Sequence, residues 1–169
     1  MHEIFVAQSP QDFDDLGRLV REYVTWCKAR YRDEAWFIDE AFGHQALDRE
    51  LNELTDNYTP PNGKALLVRY REEICACGVY KKWQVDTCEM KRLFVLDRFR
   101  GQGIGRDLCA ALLAAAAHDG YRHMCLETGN LFREAIALYQ ALGFRPCAPH
   151  TDFPEHIMPL VVAMERTLD

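Results

Sequence analysis

Apolar residues recur along the chain at helical and at strand-like spacings, in separate segments. Steps of three and four between apolar side chains predict amphipathic helices, while short apolar or alternating runs between turn residues predict strands. Ser9, Pro10 and Asp12 suit the cap, the first position and the first turn of the first helix. The predicted helices are 10–27, 47–54, 105–118 and 132–142. The predicted strands are 2–7, 64–70, 74–80, 87–96, 121–127 and 157–167.

The order of these elements predicts an α/β fold with a mixed central sheet flanked by helices. A tight turn at 71–73 makes its two flanking strands a hairpin, and the helix over 105–118 returns the chain for a parallel strand. The N-terminal strands are therefore antiparallel and the central pair parallel, in one domain spanning 1–169. Pro159 predicts that the last strand lies at a sheet edge or bulge. Ligands of such sheets bind at the carboxyl ends of the parallel strands, which places the expected chemistry between 89 and 140.

Composition narrows the class of protein further. The 169 residues are 49% hydrophobic, enough for a packed core, and the net charge of −6 predicts no general attraction to nucleic acid or to an anionic membrane. The longest apolar run, 108–117, is short of the ~20 residues that cross a bilayer. The first residues lack the pattern of a secretory signal, so a cytoplasmic location is expected. Seven cysteines without a C-x-x-C pair predict buried reduced thiols, and the histidines lack metal-site spacings, so no metal is expected.

A glycine-rich turn lies between the strand that ends near 96 and the helix that begins at 105. Such a turn directs unpaired backbone amides and the positive end of the helix dipole toward one point, as a phosphate-binding site requires. Its glycines leave space for a phosphate and its arginines add positive charge. These residues are Arg98, Arg100, Gly101, Gly103, Gly105 and Arg106. Taken by itself, the same pattern is also that of an ordinary strand-to-helix loop.

The glycine spacing discriminates between phosphate-binding motifs. Arg106 occupies the position of the last glycine in the dinucleotide fingerprint, and no Gly-Lys-Ser/Thr follows as in a Walker A loop. The pattern R-x-x-G-x-G at Arg100, Gly103 and Gly105 does fit, and with it the sequence resembles the GNAT superfamily of acyl-CoA-dependent N-acetyltransferases.

The resemblance, which covers the element order of 2–167 and is specific in motif over 87–144, implies acetyl-CoA as the co-substrate. The turn amides would bind its pyrophosphate, and the strand before the turn would bulge, splay from its parallel neighbour and pair with the pantetheine arm. The string 137–144 is similar to the family's last helix, whose tyrosine, here Tyr139, lies near the CoA sulfur. On periodicity alone Tyr139 is a core aromatic residue. The implied CoA-binding residues are Leu93, Phe94, Val95, Arg100, Gly101, Gln102, Gly103, Ile104, Gly105 and Arg106.

Acetylation of an amine needs a general base. A lysine-like amine with a pKa of ~10.4 is only about one part in 2,500 neutral at pH 7, a deficit of ~4.6 kcal/mol. Glu89 stands where some family members place a glutamate that acts through water, and a pair with Lys91 or an arginine is the alternative. By the same resemblance, Tyr139 would protonate the leaving thiolate. A backbone N–H of the pantetheine-binding strand, that of Phe94 or Val95, would polarise the thioester carbonyl.

An asparagine and two cysteines near this region have further possible roles. Many relatives carry an asparagine seven residues before the tyrosine, but Phe132 stands there in this chain. Asn130, the nearest asparagine, either contacts the pantetheine or caps the last helix. Cys88 and Cys125 have no evident histidine partner, so a cysteine nucleophile is not expected.

The sequence therefore predicts an N-acetyltransferase that moves an acetyl group to a primary amine of a small molecule or peptide. A non-catalytic acyl-CoA-binding regulatory module is the alternative, and a nucleotide-binding oxidoreductase fits the glycine spacing less well. The acceptor is expected against the first two helices and the segments 57–63 and 148–157. The oligomeric state is open between a monomer and a homodimer. Four acids would either attract a cationic amine or form a solvated face, namely Asp33, Glu34, Asp39 and Glu40.

Overall fold

The computed structural model of the protein describes residues 1–44 and 46–169. Over these residues the chain forms a mixed seven-stranded sheet with helices on both faces, which confirms the predicted fold class. The strands are β1 (His2–Val6), β2 (Gly63–Tyr70), β3 (Glu73–Lys82), β4 (Thr87–Val95), β5 (His123–Gly129), β6 (Arg145–Pro146) and β7 (Val161–Thr167). The helices are α1 (Pro10–Arg30), α2 (Ala35–His44), α3 (Leu47–Asn52), α4 (Leu54–Asn57), α5 (Ile104–His118) and α6 (Arg133–Ala141).

The described strands lie in the order β1-β2-β3-β4-β5-β7-β6. Neighbouring strands run antiparallel, except that β4 and β5 are parallel, as the sequence predicts. The parallel contact is short: it joins Thr87–Glu89 to His123–Cys125. The paired stretch thus ends a third of the way along β4, and the remaining parts of the two strands are available to form the walls of a cleft.

Two apolar layers hold helices against opposite faces of the sheet. On one face α5 buries Leu108 and Leu112 with Met90 of β4. On the other face α1 buries Leu16 and Leu19 in a second cluster with β2 and β3. Full burial of such a side chain stabilises the fold by roughly 1.5–3 kcal/mol, so these layers fix the sheet between the helices.

The start of α1 follows its sequence prediction closely. The Ser9 hydroxyl accepts a hydrogen bond from the Asp12 backbone N–H (3.2 Å), and the Asp12 carboxylate accepts one from the Ser9 backbone N–H (2.9 Å). This reciprocal capping box satisfies donors that the first helical turn leaves unpaired. Backbone N–H groups of Gln8 and Ser9 also lower the pKa of Asp12.

Two helical segments differ from their sequence prediction. α2 is missing from the predicted helices because its sequence is apolar on more than one side and has no cap signal. It packs on α1 by burying Phe37 and Ile38. The helix predicted over 47–54 is instead divided at Glu53, whose φ of −119° is not helical, into α3 and α4.

The prediction drawn from Pro159 for the C-terminal strand was also wrong. Pro159 lies in a 3₁₀ turn over Met158–Leu160, and β7 begins only after that turn. β7 pairs with β5 on one side and with the two-residue β6 on the other, so it is not the sheet edge. In the part of the chain that the structure describes, no helix combines the length and the apolar character needed to cross a membrane.

Candidate active site

The glycine turn opens α5 with free backbone amides. Gly103 is the N-cap of α5 with φ of 80°, and Gly101 has φ of 76°. A Cβ at either position would meet no atom within 4 Å, so the backbone angle and not the available space favours glycine. The first hydrogen bond of the helix runs from Asp107 N to Gly103 O (3.0 Å), and the amides of 104–106 precede it. The turn therefore presents these amides and the positive helix end to an anion.

β4 contains a β-bulge directly before this turn. The single β3 residue Gly78 faces two β4 residues, Arg92 and Leu93, and Arg92 has φ of 55°. A Cβ at Gly78 would lie 2.7 Å from Leu112 Cδ1 of α5, so any larger residue there would force this leucine side chain to move. Because the bulge follows the last β4–β5 pair, β4 turns away from β5. This confirms the bulged and splayed strand that the family resemblance implies.

A cleft of about 440 Å³ opens between β4, the glycine turn and α6. α1 contributes Tyr23 and Trp26 to its wall, residues that the sequence marks only as part of an apolar helix face. Gln102 is exposed in the same turn and is not among the lining residues. The other residues of β4 and of the turn that were predicted to bind CoA line the cleft together, namely Leu93, Phe94, Val95, Arg100, Gly101, Gly103, Ile104, Gly105 and Arg106.

Arg100 and Arg106 place positive charge on the cleft. The Arg100 guanidinium lies 4.3 Å from the centroid of the Trp26 ring, and its Nε donates a hydrogen bond to Val95 O (3.0 Å). Arg98 does not line the cleft, because its guanidinium pairs with Glu73. Among the described residues that line the cleft, the cations are thus Arg100 and Arg106 of the glycine turn.

Tyr139 lies on the inner wall of the cleft. Its ring is 6% exposed and meets Phe144 edge to face, with 5.8 Å between ring centroids. It belongs to the core and lines the cleft at the same time, so the two interpretations of its periodicity are compatible. Burial raises the pKa of Tyr139 above its ordinary value, and the phenol therefore carries its proton at neutral pH.

A smaller cavity of about 60 Å³ adjoins the cleft. Tyr23, Thr128 and Phe132 line both spaces, so the two spaces are direct neighbours. Glu89 lines this second cavity and not the cleft. The predicted segment 148–157 contributes to the lining, whereas 57–63 does not. The apolar lining of the second cavity includes Cys27, Phe37, Ile38, Phe42, Phe153 and Val161.

Glu89 is buried beside a histidine. His150 Nε2 lies 3.1 Å from Glu89 Oε1 and 3.3 Å from Glu127 Oε1. Burial raises the pKa of Glu89, but His150 and Lys91 outweigh it, and the pKa lies below its ordinary value. Burial also disfavours the charged form of His150, but contacts with Cys125, Glu89 and Glu127 raise its pKa above the ordinary value. Glu89 is therefore ionised opposite a protonated His150 at neutral pH, and this partner is not the one that the sequence suggested.

Glu127 positions the loop that carries His150. Its carboxylate accepts hydrogen bonds from the backbone N–H groups of His150 (3.2 Å) and Thr151 (3.1 Å) and from the Thr151 hydroxyl. Ligand atoms of Glu89, Glu127 and His150 all lie within 4.8 Å of one another, a spacing that would also suit a metal ion. The expectation of no metal stays a prediction, which elemental analysis of the purified protein tests.

The bulge residue Arg92 is held by a buried ion pair. Its Nη2 and Nε lie 2.7 and 3.2 Å from the oxygens of Glu50, and its guanidinium lies 4.8 Å from the Phe42 ring centroid. The Tyr58 hydroxyl donates to the same carboxylate (2.6 Å). Burial raises the pKa of Glu50, but Arg92 and Lys91 outweigh it and lower the pKa to about 2. Breaking such a pair strongly destabilises the fold, because one charge would remain buried without a partner.

The remaining predicted residues lie outside the two cavities. Asn130 Oδ1 accepts a hydrogen bond from the Tyr31 hydroxyl (3.0 Å), and α6 is capped by Phe132, so Asn130 neither lines the cleft nor caps the helix. Of the four acids considered for substrate attraction, Asp39 pairs with Lys28 and Glu40 with His156 at the surface. The residues lining the second cavity do not include these four acids.

The cysteines behave as the sequence predicts, with one correction. All seven are free thiols and six of them are buried. Burial raises the pKa of Cys88 to about 12, which argues against a thiolate nucleophile. Cys125, however, does have a histidine neighbour, His150, which the sequence could not reveal because 24 residues separate them.

A mixed sheet whose central parallel strands diverge beside an amide-rich helix start is the arrangement that the resemblance to acyltransferases implies. The chain belongs to the acetyltransferase (GNAT) family, whose model matches residues 23–144. It is 31% identical over 163 residues to an uncharacterized N-acetyltransferase of Schizosaccharomyces pombe, covering 95% of this chain and 91% of the relative.

Solved structures agree with this assignment. A GNAT family acetyltransferase from Elizabethkingia anophelis with acetyl-CoA bound is 28% identical with a TM-score of 0.57, over 69% of this chain and 82% of that chain. A Staphylococcus aureus GNAT acetyltransferase shares the fold over both complete chains, with a TM-score of 0.73 at 16% identity.

Proposed function

We propose that the protein transfers an acetyl group from acetyl-CoA to a primary amine by direct attack of the amine on the thioester. The observation that carries this proposal is the meeting of two cavities at Tyr23, Thr128 and Phe132. One cavity has Tyr139 on its wall and the other has Glu89. A proton donor and a proton acceptor thus face the place where the acyl donor and the amine would meet.

The cleft residues fit coenzyme A. The turn with Gly101 and Gly103 at positive φ leaves room for a diphosphate on the amides of 104–106. The divergent half of β4 runs from there toward Tyr139, and its backbone would pair with an extended pantetheine arm. When bound, acetyl-CoA supplies an activated acyl group as a thioester. A relative that is 28% identical was solved with acetyl-CoA bound, which supports this choice of donor.

A residue of the second cavity would remove the proton from the acceptor amine. The ionised Glu89 carboxylate takes one proton from the ammonium, directly or through water, and offsets part of the ~4.6 kcal/mol that neutralising an amine requires. The nitrogen then forms a bond to the acyl carbon as the carbon–sulfur bond breaks. A backbone N–H of Phe94 or Val95 stabilises the carbonyl oxygen, and the Tyr139 phenol gives its proton to the leaving thiolate. The second proton that the nitrogen loses as the amide forms restores the Tyr139 phenol, directly or through water, so the products are an N-acetyl amine and free CoA thiol.

The contact between Glu89 and His150 favours a second candidate function. A carboxylate whose pKa is lowered by a neighbouring cation is a weaker base, as a non-catalytic acyl-CoA-binding regulatory module would tolerate. The two functions differ in turnover and not in binding.

The test is calorimetry with CoA and acetyl-CoA, followed by thiol release from acetyl-CoA with a broad panel of amines. Binding together with amine-dependent thiol release supports the enzyme, and release should fall at least tenfold in Glu89→Gln. The matched control is Glu53→Gln, an exposed glutamate paired with Arg49. Binding without transfer to any amine would favour the regulatory module, and the absence of binding would overturn both.

A further inference from the structure

The charged residues in and beside the second cavity, where the proposed acceptor would bind, balance one another. Among the described residues, the buried charged groups in and beside it comprise as many carboxylates as cations. Most of them already have a close partner of opposite charge within the protein, as the pairs of Arg92 with Glu50 and of His150 with Glu89 show. The six groups are Glu50, Glu89, Glu127, Lys91, Arg92 and His150.

The ion pair of Lys91 is the longest in this group. The lysine side chain is 8% exposed, yet its Nζ lies 3.7 Å from Glu50 Oε2, longer than a hydrogen bond. The oxygens of Glu50 are already bound by Arg92 and Tyr58. Over residues 1–44 and 46–169 no nearer carboxylate approaches this ammonium. A buried ammonium has three donors, and the contact of Lys91 with Glu50 is too long to satisfy one of them, so a cavity wall that contains this group favours an anionic ligand group.

The positions of Lys91 and Glu89 relate this anion to the amine. Side chains at positions i and i+2 of a strand point to the same face of the sheet, about 7 Å from each other along the strand. One small molecule can therefore contact both Glu89 and Lys91. A simple cationic amine would add one unpaired charge to a balanced, buried site, whereas a molecule with one ammonium and one carboxylate would not. The lining is aromatic and aliphatic, so it suits an apolar side chain, and the volume of about 60 Å³ favours a small one.

We propose that the acceptor is a small free amino acid with an apolar side chain, whose carboxylate pairs with Lys91 while its amine lies toward Glu89. This inference rests on the proposed function, because it names the acceptor of the same site. A peptide N-terminus lacks the carboxylate at that position and is therefore a poor acceptor.

The test compares matched acceptors on the wild-type protein. For the side chains of alanine, valine, leucine and phenylalanine, the free amino acid, its amide and its decarboxylated amine are assayed by thiol release from acetyl-CoA. Because the three amines differ in pKa, kcat/KM is expressed per neutral amine. We expect at least one amino acid to exceed both its amide and its decarboxylated amine by tenfold or more.

A variant then assigns that preference to Lys91. In Lys91→Met the ratio between the amino acid and its decarboxylated amine should fall to about one, while CoA binding by calorimetry reports an intact fold. The control, Lys82→Met, removes an exposed lysine of β3 and should keep the wild-type ratio. Equal or better use of the amides or decarboxylated amines by wild type would overturn the inference, as would acetylation of only peptides or polyamines. Those outcomes leave the proposed function standing, whereas no transfer to any amine would refute that function itself.

Discussion

Replacing His150 by glutamine removes the positive charge beside Glu89 and should change the pH dependence of catalysis. His150 Nε2 lies 3.1 Å from Glu89 Oε1, and this contact lowers the pKa of Glu89 against the effect of burial. A general base must be ionised to accept a proton, so activity is lost as the pH falls through the folded-state pKa of Glu89. An opposite charge at such a distance lowers a carboxyl pKa by roughly one to three units.

We therefore expect the acidic limb of kcat to move upward by roughly one to three pH units in His150→Gln. The direction follows because both loss of the cation and the remaining burial favour the protonated carboxyl. Lys91 on the same strand still faces Glu89, which keeps the shift below the full effect of burial. Glu127 and Cys125 of β5 face His150 and are retained in the variant.

The measurement is kcat against pH at saturating acetyl-CoA and amine, with two acceptors of different pKa. A limb that follows the pKa of the acceptor belongs to the amine, and a limb common to both belongs to the protein. His156→Gln is the control, because it removes an exposed histidine whose partner is Glu40 (2.8 Å). An acidic limb that stays in place, or moves to lower pH, in His150→Gln would show that Glu89 is not the base.

Three further changes test the donor cleft and the support beneath it. Tyr139→Phe should lower kcat by about 10²- to 10⁴-fold with CoA affinity retained in calorimetry, and a change under about threefold would remove the phenol as acid. Gly103→Ala places a side chain at φ of 80°, at a cost of roughly 1–2 kcal/mol, and should lower both the melting temperature and CoA affinity; wild-type values would contradict the strain argument. Glu50→Gln should lower the free energy of unfolding in urea by about 3 kcal/mol, because Arg92 loses its carboxylate, whereas Glu53→Gln should change it by less than about 1 kcal/mol.

The donor side was predictable because its signals are local in sequence. The glycines that open α5 need positive φ, and a strand before such a turn is recognisable from a few adjacent residues. Ser9 and Asp12, which lie within four positions of each other, likewise predicted the start of α1. Where one short segment determines the geometry, spacing alone is enough to predict which residues come together.

The acceptor side was not predictable because distant segments build it. His150 reaches Glu89 from a loop 61 residues further along the chain, and no spacing rule connects the two. α2 lacks a single apolar stripe, since it is covered by several neighbours at once. The sequence pattern therefore did not predict that its Phe37 and Phe42 line the second cavity. Tertiary packing, and not local propensity, decides these positions.

Arg92 connects the two sides of the site. Its φ of 55° belongs to the bulge that turns β4 away from β5, and an L residue there costs roughly 1–2 kcal/mol. The same distortion brings its guanidinium onto the face of Glu89 and Lys91, where Glu50 holds it. Since Arg92 occupies the carboxylate of Glu50, Lys91 stays at 3.7 Å and keeps its charge available to the cavity. One local distortion of β4 therefore both widens the cleft beside the glycine turn and leaves Lys91 on the wall of the second cavity, where the proposed acceptor carboxylate would pair with it.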